Sequence, residues 1–354
     1  MKHLALYVAQ LTATRVLAAL LVLLSVLQLL DMLDVTNDIL DRGLGAGGLA
    51  YYSLLRLPRM IDQAMPLAVL AGCLFAFAQL GRESAAVAMR AAGISVYRIA
   101  GMAIPVALGA FILQLAATEL IGPRTDAALR AWWRDTAPAA DRKGPETRSF
   151  RIGPDLVTAT MGDDQGRRLE KVIIYRRDPA GAVTERVQAP AAVYENGSWA
   201  LITPSFERFG SDAAQPGSAA RMAWNNPLHP GDVQVLFATD NNGSASSARR
   251  ALMGGGSERP ESYYAVRWNR AFAAPAGAFV MLILAAPLVA ANFRSGQGAK
   301  IMTVSLMGGM AFMVLDGLIT ALGESGAIWP WLGAWTAPLA FSALGASVLL
   351  TLEG

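Results

Sequence analysis

Residues 55 to 95 read LRLPRMIDQAMPLAVLAGCLFAFAQLGRESAAVAMRAAGIS. The run from 58 to 80 is apolar enough to cross a bilayer, because about 20 helical residues at 1.5 Å each span a hydrocarbon core of roughly 30 Å. It stops at a charged GRES, and residues 81 to 95 then form a short, Ala-rich, amphipathic stretch closed by Gly93. A spanning helix followed by a short helix at the membrane surface sets the reading of the whole chain. Further apolar runs lie near 14 to 33, 97 to 121, 268 to 292, 301 to 321 and 330 to 351, which predicts six transmembrane helices.

Composition agrees with lipid as the solvent of most of the chain. Of 354 residues, 54% are hydrophobic and 16% charged, and the mean hydropathy is +0.37, too apolar for an ordinary soluble protein. The charges concentrate between 122 and 264, which holds 18 of the 30 Lys and Arg and 17 of the 27 Asp and Glu. That segment reads as a water-soluble β domain. Its apolar segments SFRIGPDLVTATM, EKVIIYRR, VTERVQAPAAVYENGSWALI and DVQVLFA are short or alternate with period 2, and DPAG and YENGSW give hairpin signals. Strands so spaced suggest a sandwich or jelly-roll-like sheet. Residues 241 to 258 have the composition of a return linker or a short helix. The expected organisation is 1–121 with three spans, 122–264 as the β domain and 265–354 with three more.

The start MKHLALYVAQLTATR leads into an apolar run without a small-residue cleavage site, so it reads as an uncleaved first span. Lys2, Arg15, Arg82, Arg90, Arg98, Arg294 and Lys300 fall on one side of this topology, and Asp31, Asp34, Asp38, Asp41 and Glu324 on the other. The positive-inside rule places both termini in the cytoplasm and the insert outside.

Several chemistries are excluded or lack support. A lone cysteine, Cys73, in an apolar run rules out an intramolecular disulfide and a Cys-based metal site, and His3 and His229 are too few and too far apart for a metal or a histidine triad. The chain has no P-loop, no HExxH and no GxSxG, so no catalytic residue, metal or cofactor is assigned and any ATP is used by another subunit. GLGAGG at 43 to 48 lacks a βαβ context and reads as a turn. NGS at Asn196 and Asn242 is a weak glycosylation match.

One anomaly points to a ligand. Arg56 and Arg59 precede or open the second span, Arg124, Arg130 and Arg134 follow the third, and Arg267 and Arg270 open the fourth, all on the side where positive charge is disfavoured. Guanidinium groups suit bidentate phosphate contacts, so a cavity rimmed by these residues would bind an anionic amphiphile. The alternative for each is an interfacial anchor or a pair with Asp62, Glu119, Asp126 or Asp135. Asp31 reads as a helix-end charge, and Asp316, deeper in MVLDGLIT, as a polar contact with another helix. Pro66, Pro105, Pro275 and Pro287 are expected to kink their spans, and small residues in AFAAPAGAF and SLMGGMAF to permit close helix packing.

Three spans, an external β domain, three more spans and a charged surface helix ending in AAG resemble the LptF/LptG permease family. The opening stretch resembles that family's second span and coupling helix, TELIGPRTDAALR its exit from the third span, and RWNRAFAAPAGAFVMLILAAPLVA its fourth. The resemblance implies a permease subunit of an ABC-type lipopolysaccharide exporter in the bacterial inner membrane, closer to LptG than to LptF, that passes lipopolysaccharide to a periplasmic jelly-roll bridge. It also implies a cytoplasmic ATPase dimer (LptB-like), a paralogous permease (LptF-like) and a single-span periplasmic protein (LptC-like) as partners, and no nucleic acid. By the same carry-over Arg59 and Arg130 match lipid-contacting positions, Arg134 is offset by about one residue, and Gln28 stands where some members carry a lysine. Arg82, Glu83, Met89 and Gly93 become the ATPase-coupling residues, with Ala85 in place of a second acid. Two other readings are a membrane-anchored periplasmic sensor or mechanotransmission protein, and a membrane hydrolase. Three spans on each side of the insert favour a lipid pathway over a sensor, and no nucleophile–base pair supports a hydrolase.

Overall fold

The computed structural model describes residues 2–138, 147–163, 165–178, 182–209, 215–237, 244–253, 256–291 and 297–353. Arg294, Asn242 and most of the DPAG turn lie outside them. The helices are α1 (Lys2–Asp41), α2 (Gly45–Arg82), α3 (Ala85–Ala91), α4 (Val96–Gly101), α5 (Ile104–Leu115), α6 (Gly122–Asp135), α7 (Pro230–Leu236), α8 (Ala245–Leu252), α9 (Glu261–Ala285), α10 (Gln297–Glu324) and α11 (Pro330–Glu353). A π-helical turn, Ala116–Ile121, joins α5 to α6, and a 3-10 turn, Ala286–Ala290, extends α9. The chain divides into two compact units, residues 1–132 with 266–354, and residues 133–265.

Among the described residues six helical stretches are long and apolar enough to cross a membrane: α1, α2, Val96–Asp135, Glu261–Ala290, α10 and Pro330–Thr351. Most run beyond the apolar segments that announce them. At 1.5 Å per residue α1 and α2 are each nearly 60 Å long, about twice the hydrocarbon thickness. The acidic run after Asp31 has no breaker, so α1 continues to Asp41 and ends where Gly43 takes φ 73°. There the Gly43 N–H donates to Leu40 O and the Leu44 N–H to Ile39 O, a Schellman closure that uses the glycine's freedom. GLGAGG is therefore half turn and half helix start. Pro66 and Pro275 lie inside continuous helices, whereas Pro105 opens α5 and Pro287 stands in the 3-10 turn.

The helices differ sharply in burial. About two thirds of the apolar windows of α2 and α9 are buried, against 11% for α1 and 17% for α10. The spanning part of α1 buries one narrow stripe, Val8, Thr12, Val16 and Leu20, spaced four apart. It comes close to Gly72 of α2, where an added Cβ would lie 2.4 Å from Val16 Cα. Gly323 of α10 and Gly333 of α11 meet in the same way, each blocking a Cβ on the other at 2.8 Å. Without a hydrophobic drive between helices in lipid, such small-residue approaches supply the dispersion contact that fixes the pairs. Cys73 is buried among apolar neighbours, as its surroundings in the sequence predict.

The second unit carries one antiparallel sheet of β1 (Thr147–Ile152), β2 (Asp155–Met161), β3 (Arg168–Arg177), β4 (Val183–Glu195), β5 (Ser198–Ile202), β6 (Ser205–Arg208), β7 (Gln215–Ser218) and β8 (Arg221–Trp224). The order is β1-β2-β3-β4-β5-β8, with β6 between β4 and β7. SFRIGPDLVTATM is two strands about a Gly153-Pro154 turn. Asn196 and Gly197, at φ 51° and 83°, make the hairpin that YENGSW announces. Strand β4 pairs with β6 over 185–188 and with β5 over 191–195; Pro190, without an N–H, stands at the changeover. Opposite it Lys171, at φ 52°, is the extra residue of a bulge against β2.

DVQVLFA, expected as a strand, is mainly helix α7. Its Val233 and Leu236, three apart, both enter the core of the sheet's buried face with Phe150, Ile174 and Leu201. The Asp232 carboxylate accepts from the His229 N–H at 3.0 Å and fixes the entry. An apolar pattern this short fits both periods, and packing chose the helical one. The Trp199 indole N–H donates to Leu228 O at 2.8 Å and ties β5 to this entry. Residues 245–252 of the return segment form α8, the second of the two alternatives.

Candidate functional site

Call distal the end of the helical unit at which α1 turns into α2 and α10 into α11, and from which the chain leaves for the β unit. Arg56 and Arg59 stand on α2, eleven and fourteen residues inside its distal end, and Arg267 and Arg270 stand six and nine residues inside that of α9. These positions are well within their helices rather than at the starts expected from hydropathy. Each pair is spaced i, i+3 and shares a helix face. Arg59 is exposed and Arg267 half-buried.

Arg56 is held by Asp31 of α1. Its Nη2 donates to Asp31 Oδ1 at 2.8 Å and its Nε to Oδ2 at 3.4 Å, and the guanidinium lies 5.7 Å from the Tyr52 ring centre. Asp31 is thus an interhelical partner, not a helix-end charge; the expectation failed because α1 runs ten residues past it. Below this pair Gln28 Nε2 donates to Ser53 Oγ at 3.0 Å, while Gln28 Oε1 is buried without a partner. Arg270 is held by Asp316 of α10, its Nη1 donating to Oδ2 at 2.8 Å and also to Thr320 Oγ1, which itself donates to Gly333 O on α11 at 3.3 Å. The polar contact expected of Asp316 is therefore with Arg270. Asp62 accepts from buried Gln114 at 2.9 Å.

Arg130 lies on α6, half-buried, in the helical unit. Arg134, exposed at the end of the same helix, belongs to the β unit. Glu119 falls in the π-helical turn, a local widening of the helix common at functional positions.

At the opposite end the surface helix is α3, only seven residues long, and it ends on Gly93 at φ 80° with Gly93 N–H donating to Arg90 O and Ile94 N–H to Met89 O. Arg82 closes α2 and Glu83 caps it, so neither lies on α3. Glu83 is held from two helices: Gln79 Nε2 donates to its Oε1 at 2.8 Å and Tyr7 OH to its Oε2 at 3.5 Å, while Arg15 Nη2 donates to Gln79 Oε1 at 2.7 Å. Met89 turns inward and is buried in the apolar core of the helical unit, whereas Val87, 60% exposed, and Tyr97 face outward. Sequence spacing on so short a helix did not reveal which apolar residue points out. The roles of Asp31 and Gln79 as partners were missed and the partner of Asp316 was left unnamed, since their contacts are 25, 64 and 46 residues distant in the chain.

Among the described residues no group of three or more His, Cys, Asp or Glu is placed to hold a metal ion. The arrangement can hold anionic oxygens at guanidinium groups beside long apolar helix faces. In comparison with known families, the model for the lipopolysaccharide export system permease LptF/LptG matches residues 6–351. A comparison with curated proteins gives no match.

Proposed function

We propose, for a chain that belongs to the LptF/LptG family of lipopolysaccharide export permeases, that it is one half of the membrane core of an ABC-type exporter, LptG-like, which lifts lipopolysaccharide from the inner membrane and hands it to a periplasmic jelly-roll bridge. The match over nearly the whole chain carries this reading. As a family member the chain is a multi-pass inner-membrane transport component rather than an enzyme. Both termini are then cytoplasmic and the β domain periplasmic, so the distal arginines stand on the periplasmic side and α3 on the cytoplasmic side.

On this reading Arg59, Arg130, Arg134 and Arg267 contact the phosphates and sugars of the lipid, Arg56 and Arg270 join them once their aspartates are displaced, and the apolar faces of α1, α2 and α10 hold acyl chains. The exposed row Leu17, Leu21, Val22, Leu29 and Leu33 on α1 supports such a lipid-facing role. Arg82, Glu83, Met89 and Gly93 couple to a cytoplasmic LptB-like ATPase dimer, with Met89 acting from beneath the surface. A paralogous LptF-like permease and a single-span LptC-like protein complete the assembly.

The test is mass spectrometry of what the chain retains after gentle detergent purification from native membranes. Lipopolysaccharide with a paralogous permease and a nucleotide-binding protein is the expected result; a stable lone chain with bulk phospholipid alone would transfer the assignment to a membrane-anchored sensor. Arg59→Gln and Arg130→Gln should each lower export while leaving protein abundance unchanged.

A further inference from the structure

The two helices that are least buried in the bundle are each fastened by one aspartate to an arginine on one of the two most buried. Asp31 on α1 takes Arg56 of α2, and Asp316 on α10 takes Arg270 of α9. All four residues stand eight to eleven residues inside the distal end of their helices, a depth of roughly 12 to 17 Å. Their side chains retain between 15% and 24% exposure, so the pairs are shielded yet open to exchange with an incoming anion. On the same face as each clamped arginine, three residues away, stands a second arginine, Arg59 beside Arg56 and Arg267 beside Arg270.

We infer that Asp31 and Asp316 are displaceable latches: each occupies the guanidinium that a lipid phosphate needs, so that phosphate binding at Arg56 or Arg270 and attachment of α1 or α10 at that point exclude one another. The inference deepens the proposed lipid-export reading and rests on it for the identity of the ligand. The physical basis is competition. Asp31 takes two donors of Arg56, and Asp316 with Thr320 takes Nη1 of Arg270, so a phosphate that uses these donors must break those bonds to form its own. By linkage, whatever the latch subtracts from phosphate affinity the bound phosphate subtracts from the latch. The effect should be felt by α1 and α10 in particular, because they bury the smallest share of their apolar stretches against the bundle. The latch also keeps the abundant anionic phospholipids of the surrounding bilayer from filling the arginines by mass action, since each would have to displace a carboxylate already in place.

The experiment uses the full chain with its co-purifying partners in nanodiscs, and phosphatidylglycerol as the probe lipid. Retention is measured by native mass spectrometry for the wild type, Asp31→Asn, Asp316→Asn and Asp34→Asn. Asp34 is an exposed acid on α1 whose neutralisation changes net charge by the same amount. Each latch variant is expected to raise phosphatidylglycerol affinity by about fivefold or more over Asp34→Asn, the lower end of ordinary coupling between sites; equal affinities would overturn the inference. Asp31→Glu, which keeps a carboxylate, should stay near the wild type, and an affinity matching Asp31→Asn would also overturn it. A readout that needs no latch variant is the distance between spin labels on the distal halves of α1 and α2. It should lengthen when phosphatidylglycerol is added and stay fixed with a zwitterionic lipid, and a distance indifferent to both would refute the latch. Lipopolysaccharide retention by the wild type is scored separately, so loss of the export reading and loss of the latch are told apart.

Discussion

Replacing Gly72 with alanine would set a methyl carbon 2.4 Å from Val16 Cα and 2.5 Å from both Val16 N and Val16 Cγ2. Non-bonded carbons settle at about 3.5 to 4.0 Å, so α1 must withdraw from α2 by more than about 1 Å at this crossing. Two of the three atoms in the way, Val16 Cα and N, are backbone, and no rotamer change relieves them. A withdrawal of that size would also lengthen the Arg15–Gln79 and Arg56–Asp31 contacts, now 2.7 and 2.8 Å, beyond hydrogen-bond range unless the helix bends. Overpacking of this kind costs about 1 to 3 kcal/mol, enough to shift a docked-to-undocked ratio by roughly 5- to 150-fold. Two assays read it: thermal unfolding of the purified chain, and the disulfide-forming rate of cysteines placed at positions 15 and 79. Gly72→Ala should lower the first midpoint and slow the second. Trimming the partner, Val16→Ala, should fail to rescue, because it removes only Cγ1 and Cγ2 and leaves the Cα and N contacts. An unchanged midpoint and rate in Gly72→Ala, or full rescue by Val16→Ala, would show that the helices do not cross as described. Gly309→Ala is the contrast: its Cβ would meet Leu70 Cδ2, a side-chain end, so a smaller residue at position 70 should relieve that variant.

Other expectations can be measured alongside. Trp199→Phe removes the indole donor from Leu228 O, leaving a buried carbonyl unpaired at a cost of about 1 to 3 kcal/mol, which should appear as faster amide exchange in the 226–236 segment. Burial raises the Asp155 carboxyl above the ordinary carboxylate range, with Arg176 opposing only in part. Its folded value exceeds its unfolded one, so the β unit loses stability as pH rises between the two; Asp155→Asn should slow exchange in β1 to β3 relative to the wild type at pH 7, and the difference should vanish below the unfolded value. Glu83→Ala should reduce recovery of the partner ATPase on purification, and Gln79→Leu should do so to a lesser degree by freeing Glu83 from α2; full recovery with both would remove Glu83 from the coupling surface.

The six spans were legible in the sequence because insertion into lipid depends on local hydropathy and length, which need no knowledge of neighbours. The β character of the insert was legible for a similar reason: the Asn196-Gly197 hairpin and the alternating strands are set by residues adjacent in the chain. Family membership followed from the order of these parts, each recognisable by itself.

The candidate site was only partly legible. Arg56 and Arg270 could be singled out as cations out of place, but their partners Asp31 and Asp316 lie 25 and 46 residues away and face them only because α1 crosses α2 at Gly72 and α10 meets α9 and α11. Met89 was placed on the coupling surface by motif and turned inward by packing, and Val87 took the outward position. DVQVLFA carried a pattern compatible with strand and helix, and packing on the sheet's apolar, buried face selected the helix. The sequence by itself determined which segments enter the membrane, where the β domain interrupts them and where charge is anomalous, since these follow from transfer free energies and turn chemistry that add residue by residue. The tertiary structure decided which charges are already satisfied, which helices are least buried and which side chains face outward, since those depend on the meeting of surfaces that no local pattern encodes.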